Sequence, residues 1–142
     1  MPDLKRTIKK VIAVYSKYKA TGSCIHAAVV LTELLKRQGC NCYFDYGYSL
    51  KPGKKACVHA WVHLEGVGKI DIGKGIHCHI WNIPLFKAEL VKEIPEDCEL
   101  YGDLKPDIFN HLEWIKNGHS REYLERQPLG LKLITDELGL NV

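Results

Sequence analysis

The sequence has no run of about twenty apolar residues, the length that a membrane-spanning helix needs. Its first residues carry Asp3 and Lys5 and lack the apolar stretch that a secretory signal peptide requires. We therefore expect a cytoplasmic protein that is neither secreted nor bound to a membrane. In that reducing compartment, cysteines are expected to be free thiols instead of disulfides. The cysteines are Cys24, Cys40, Cys42, Cys57, Cys78 and Cys98.

The sequence also lacks internal repeats, low-complexity segments and a strong excess of one charge. Of its 142 residues, 46% are hydrophobic and 26% are charged, which is typical of a soluble protein and argues against disorder. The net charge is +3, and the one dense basic stretch, at residues 5–10, fits the solvated face of a helix. Because no aromatic side chains interleave with basic ones, we expect no nucleic-acid partner. The length predicts a single domain, spanning residues 1–142.

Hydrophobic periodicity predicts two helices followed by strands. Apolar residues recur at helical spacing over residues 3–19, and again from Cys24 until Gly39, which suits a helix C-cap. Aromatic and alternating patterns then indicate three strands with tight turns between them. The predicted strands are residues 42–48, 56–64 and 69–72. The simplest arrangement is an antiparallel meander packed on the second helix, which is an α+β fold.

The rest of the chain has a weaker pattern. Glycines and prolines interrupt residues 73–104, where we expect one or two further strands with irregular connections. From Pro106, a residue suited to the first turn of a helix, apolar residues recur at helical spacing in three short segments. The segments are residues 106–117, 121–127 and 131–138. We expect them to close over the core or to contact a neighbouring molecule.

Cys24 is predicted to lie in the first turn of the second helix. Unpaired N–H groups and the positive end of the helix dipole favour a thiolate there, and the thiolate is the nucleophilic form of cysteine. The same groups can bind the oxyanion formed by attack on a carbonyl, so the Cys24 N–H is the expected first donor. Tyr18, Ser23 and the region of Trp61 are candidates for the second. The alternative is a buried Cys24 that only fills a helix–sheet contact.

His59 and Asp71 can supply a base and a carboxylate that orients it. His59 shares one face of its predicted strand with Trp61 and His63, and Asp71 follows the next turn. From there Asp71 can accept a hydrogen bond from one ring nitrogen and set the tautomer. A hairpin centred on Val67 places Asp71 nearer to His63 than to His59, unless a bulge or strong twist shortens the distance. The alternatives are a structural histidine and a surface aspartate.

The order and type of these segments resemble the core of the transglutaminase-like superfamily of cysteine enzymes. The resemblance is carried by Gly22-Ser23-Cys24 leading a helix, by His59-Ala60-Trp61-Val62 in a strand and by Ile70-Asp71-Ile72. It covers residues 21–73, about a third of the chain. Among small members, the chain is similar to the leader peptidases of lasso-peptide biosynthesis, although Ile25-His26 follows the cysteine where an Arg-containing stretch is common.

The resemblance implies a papain-like α+β core in which the cysteine-bearing helix packs on an antiparallel sheet. It also implies that Cys24 is the nucleophile, His59 the general base and acid, and Asp71 the orienting residue. Superfamily members transfer acyl groups from amides in proteolysis, deamidation, peptide-N-glycan cleavage or cross-linking. The expected function is thus acyl transfer or hydrolysis on an amide of a peptide or protein substrate, with no metal or organic cofactor.

Two other functions are compatible with the sequence. One is zinc binding, because three short segments contain soft and borderline zinc ligands, although their spacing matches no common zinc module. The segments are Cys40-Asn41-Cys42, Cys57-Val58-His59 and His77-Cys78-His79. The domain can instead be a non-catalytic regulatory module that binds a peptide by strand addition beside Trp61, His63 and residues 43–48.

Overall fold

The centre of the fold is a curled sheet. The structure, a computed structural model, describes residues 3–86 and 88–140. Three strands follow one another as an antiparallel meander, β1 (Cys42–Lys51), β2 (Lys55–Leu64) and β3 (Gly68–Ile70). β4 (Glu89–Val91) pairs antiparallel with β1, and β5 (Glu99–Leu100) runs parallel to the start of β2. The predicted meander and the two further strands are confirmed.

Two helices precede the sheet, close to where the periodicity predicts them. α1 (Leu4–Lys17) begins after Asp3, whose side chain accepts a hydrogen bond from a backbone N–H of the first turn at 3.1 Å. α2 (Cys24–Arg37) ends before Gly39, which has a positive φ of 86°. α2 packs against β1 and β2, as an α+β fold requires.

The third predicted strand ends early, and a helix that the sequence did not predict follows it. β3 stops at Ile70, and α3 (Ile72–Ile80) begins directly after Asp71. Asp71 is the N-cap of this helix, because its Oδ1 accepts the backbone N–H of Lys74 at 3.1 Å. The prediction of a strand over residues 69–72 is therefore wrong at its last two positions.

Two glycines in α3 explain why the pattern did not indicate a helix. Glycine lowers helix propensity by about 1 kcal/mol relative to alanine, and α3 contains both Gly73 and Gly75. At Gly75 an added Cβ would lie 3.2 Å from Ile12 Cδ1 of α1. The small residues thus allow α3 to pack closely on its neighbours, a requirement that only the tertiary structure shows.

The C-terminal part of the chain is helical and completes the core. A 3₁₀ turn leads into one helix, and a kink at Asn117 and Gly118, whose backbone angles are not helical, joins it to the next. These elements are the 3₁₀ turn Pro106–Ile108, α4 (Phe109–Trp114), the kinked segment Ile115–His119, α5 (Ser120–Glu125) and α6 (Leu129–Glu137). Leu112, Ile115, Ile134 and Leu140 are buried in the same apolar cluster as residues of α1, α2 and the sheet. The predicted helical segments thus close over the core.

The structure also bears on membrane insertion and on the state of the cysteines. Among the described residues, no helix has both the length and the apolar character needed to cross a membrane. All six cysteines lie in the described ranges, and each is a free thiol.

Candidate active site

Cys24 is the first residue of α2, as predicted. Ser23 precedes it with a non-helical backbone, and the Ser23 hydroxyl donates to the Ala20 carbonyl at 2.8 Å. No side chain in the described part of the chain caps this helix, so the N–H groups of the first turn are available to a ligand. Cys24 therefore lies where the helix dipole and free N–H groups favour a negative charge.

His59 lies at a gap in the edge of the sheet. On the side of β2 that faces away from β1, β3 pairs with residues 62–64 and β5 pairs with residues 55–56. None of the described strands pairs with β2 between these two ladders, and His59 is at the middle of that stretch. Its side chain is 13% exposed, so the ring is shielded from water but can be reached from the cleft.

The Asp71 carboxylate holds the His59 ring, with 2.6 Å between Asp71 Oδ1 and His59 Nε2. The hairpin is centred on Gly66, since His63 pairs with Lys69. Continuing this register by one residue places Asp71 opposite Trp61, which makes His59 its diagonal neighbour on the same face. The expectation that Asp71 lies nearer to His63 is therefore wrong, and no bulge is needed to bring Asp71 to His59.

Gly73 brings Cys24 and His59 together. A Cβ built on Gly73 would lie 2.8 Å from Cys24 Cβ and 3.4 Å from His59 Cε1, so both side chains contact this glycine. The Cys24 side chain therefore lies beside the His59 ring, and both line the same cleft. Because Asp71 occupies Nε2, the ring nitrogen left for the thiol is Nδ1. The order of contacts is thus cysteine, histidine, aspartate.

The charges around His59 favour its protonated form. Burial lowers the pKa of His59, but hydrogen bonds to Asp71 and Cys24 and the negative charge of these two groups raise it, to about 10. An imidazolium next to a cysteine stabilises the thiolate form by charge attraction. His59 is therefore positively charged at neutral pH and can donate a proton beside Cys24.

Cys24, His59 and Asp71 line one cleft of about 460 Å³. Its other walls come from the end of β1, the start of β2, α3 and two loops. The polar and aromatic side chains of these walls are Ser49, Lys51, Cys57, Lys74, His77, Phe86, Tyr101 and Asp103. Of these wall residues, the sequence indicated only Cys57 and His77, as candidate zinc ligands. The others belong to separate segments without a recognisable motif, so no local signal indicated them.

The candidates for a second oxyanion donor lie in different places. Ser23 lines the cleft. The Tyr18 hydroxyl donates to Glu137 Oε1 at 3.0 Å, and Tyr18 does not belong to the described cleft lining. Trp61 is fully buried, with the ammonium group of Lys69 5.6 Å from the centroid of its ring, and is likewise outside that lining. The structure therefore brings only Ser23 next to Cys24.

The cysteines and histidines considered as zinc ligands do not converge. Cys42 is buried and its thiol donates to the Thr32 carbonyl at 3.5 Å, while His79 Nδ1 pairs with the Ser16 hydroxyl at 2.9 Å. Residues 77–79 are helical, so adjacent side chains point in different directions. Across residues 3–86 and 88–140, no group of three or more His, Cys, Asp or Glu side chains is placed to hold one metal ion.

Comparisons with known proteins identify no relative, so a functional assignment depends on the geometry of the cleft. The chain matches no protein-family model, no curated protein and no solved structure at significant similarity.

Proposed function

We propose that this protein is a cysteine-dependent acyl hydrolase or acyltransferase with a papain-like core, similar to the transglutaminase-like superfamily. One observation carries the proposal: a single cleft in which Asp71 holds His59 at 2.6 Å and the His59 ring lies beside Cys24, the first residue of a helix. The proposed substrate is an amide in a peptide chain or a protein side chain.

In the proposed mechanism, the Cys24 thiolate attacks the amide carbonyl carbon and forms a C–S bond. The Cys24 backbone N–H binds the oxyanion of the tetrahedral intermediate. The C–N bond then breaks, and His59 gives its proton to the leaving amine. Water or a second amine next transfers a proton to His59, attacks the thioester carbon and releases the Cys24 thiolate, while Asp71 keeps the ring oriented.

Alkylation of the native protein with dilute iodoacetamide at pH 7 tests the nucleophile. We expect Cys24 to react at least about tenfold faster than the other cysteines, because the imidazolium and the helix N-terminus both stabilise its thiolate. Cys57 is the matched control, since it lines the same cleft but lies in a strand. Peptide mass spectrometry gives the rate at each cysteine.

Two variants complete this test. His59→Ala should abolish the advantage of Cys24 over Cys57, and Asp71→Asn should reduce it, with circular dichroism used to verify folding. The proposal is contradicted if Cys24 reacts no faster than Cys57, or if its advantage persists in folded His59→Ala. Such results would favour a non-catalytic peptide-binding module, for which the stacked pair of Tyr43 and His63, with ring centroids 4.9 Å apart, offers a surface.

A further inference from the structure

The cleft contains two ammonium groups that are not neutralised by a described carboxylate. Lys51 at the end of β1 and Lys74 in α3 both line the cleft. Neither forms an ion pair within the described ranges. Of the two carboxylates in the lining, Asp71 is engaged with His59, and Asp103 is exposed to solvent. An anionic ligand in the cleft would therefore find two available cations.

Aromatic rings hold both ammonium groups in position. Lys51 Nζ lies 5.3 Å and Lys74 Nζ lies 5.7 Å from the centroid of Phe86, and Lys51 Nζ is also 5.3 Å from the centroid of Tyr101. Such cation–π contacts restrict the long lysine side chains, which lowers the entropy lost when a ligand binds. The neighbouring Tyr101 side chain raises the pKa of Lys51, so this lysine is charged at neutral pH.

The Tyr101 hydroxyl adds a hydrogen-bond donor to the same part of the cleft. It is buried, and within the described part of the chain it has no partner at hydrogen-bond distance. Burial raises the pKa of Tyr101, so the phenol keeps its proton and can donate it. A buried polar group without a partner has a free-energy cost, and an oxygen of a bound ligand would remove that cost.

We propose that Lys51, Lys74 and Tyr101 form an anion-binding subsite, which selects acyl donors that carry a carboxylate next to the amide attacked by Cys24. This inference rests on the proposed function and names the substrate class of the same site. The ring of Phe86 provides apolar surface for the carbon atoms beside the carboxylate. That carboxylate belongs either to an acidic side chain or to the C-terminus of a peptide.

Two small alkylating agents of similar size test the subsite, because iodoacetate is an anion and iodoacetamide is neutral. The measured quantity is the ratio of their rates at Cys24. Lys51→Met and Lys74→Met keep the apolar stem but remove the charge, and each should lower this ratio about three- to tenfold. Lys55→Met is the matched control, since Lys55 lies on the same hairpin but outside the described lining, and it should leave the ratio close to the wild-type value.

Salt and short peptides provide measurements that do not depend on the lysine variants. Raising the ionic strength from about 0.05 to about 0.5 M should lower the ratio in the wild-type protein, because salt screens charge attraction. Three peptides then compete with iodoacetamide: a Glu peptide blocked at both ends, its blocked Gln counterpart, and the Gln peptide with a free C-terminus. Stronger protection by the first indicates a side-chain carboxylate, and stronger protection by the third indicates a C-terminal one.

The inference and the proposed function fail in different ways. If Cys24 is selectively alkylated but Lys51→Met and Lys74→Met leave the ratio unchanged, the catalytic proposal stands and the anion subsite is wrong. Equal protection by all three peptides also overturns the selection of a carboxylate. If Cys24 shows no selective alkylation by iodoacetamide, the proposed function itself fails.

Discussion

At Gly73 the fold leaves no room for a side chain. A Cβ there would lie 2.8 Å from Cys24 Cβ and also 3.1 Å from Cys24 Cα. The second contact is with backbone, which cannot rotate away as the end of a long side chain can. Gly73 is therefore the residue that sets how closely the thiol approaches the His59 ring.

Gly73→Ala and Gly75→Ala form a matched pair that tests this role. Both changes raise the helix propensity of α3 by about 1 kcal/mol. Gly73→Ala should nevertheless destabilise the protein by about 1–3 kcal/mol through overpacking, and it should slow alkylation of Cys24. Gly75→Ala meets only the Cδ1 end of Ile12, at 3.2 Å, and should be close to neutral in both respects. Urea denaturation and alkylation rates measure the two effects. Equal behaviour of the two variants would show that Gly73 has no special role in the site.

At the scale of secondary structure elements, single side chains link the residues of the candidate site to more than one element. Asp71 Oδ1 accepts hydrogen bonds from both His59 Nε2 in β2 and the Lys74 N–H in α3. The orientation of the histidine ring and the first turn of α3 therefore depend on the same oxygen atom. His26, two residues after Cys24 in α2, connects this helix to two other helices. Its Nδ1 is 2.6 Å from the Tyr15 hydroxyl, and its Nε2 is 3.2 Å from Thr135 Oγ1.

Because His26 is buried, we predict that the protein loses stability in acid. Burial lowers its pKa from 6.5 to about 4, so the folded protein holds this ring neutral while the unfolded chain protonates it. The contribution of His26 to the free energy of unfolding is fully present above pH 6.5 and is lost as the pH falls towards 4. The total loss is roughly 3 kcal/mol. Urea denaturation between pH 7 and pH 4 measures this change.

The difference between wild type and His26→Gln isolates the contribution of His26 from that of other acid-titrating groups. The free energy of unfolding of His26→Gln should depend less steeply on pH across this window. His111→Gln, which changes an exposed histidine of α4, should keep the wild-type slope. A wild-type slope in His26→Gln would mean that another group causes the acid sensitivity.

The sequence was sufficient to predict the elements that have a regular hydrophobic pattern. α1, α2 and the β1–β2 hairpin were predicted because their periodicity is local, and Cys24 and His59 followed from their positions in those elements. α3 was missed because its two glycines lower helix propensity, and only the folded chain shows that Gly73 packs against Cys24. The positions of Lys51 and Tyr101 in the cleft were not predicted, because distant segments come together only in the folded chain.

At the scale of the whole molecule, the cleft and the end of the chain have separate roles. Every residue of the described cleft lining lies between Gly22 and Leu104. The helices after that point contribute Leu112, Ile134 and Leu140 to the main apolar core. The C-terminal helices therefore support the site from behind and do not form its walls.

Ile134→Ala and Leu133→Ala, neighbours on α6, test this separation. Ile134 is 1% exposed, so its truncation should lower the free energy of unfolding by about 2–4 kcal/mol. Leu133 is 43% exposed, and its truncation should have a much smaller effect. Urea denaturation gives both values. Below the unfolding transition, both variants should keep the preference for alkylation at Cys24. A lost preference in the still-folded Ile134→Ala protein would show that α6 also shapes the site.

The same separation makes the cleft suitable for directed evolution. Substitutions at Phe86, Tyr101 and Asp103 would vary the walls of the cleft, while Cys24, His59 and Asp71 stay unchanged. None of these wall residues belongs to the main apolar cluster among the described residues. A library restricted to them would leave the core unchanged, so variants that bind different ligands could be selected without rebuilding the scaffold.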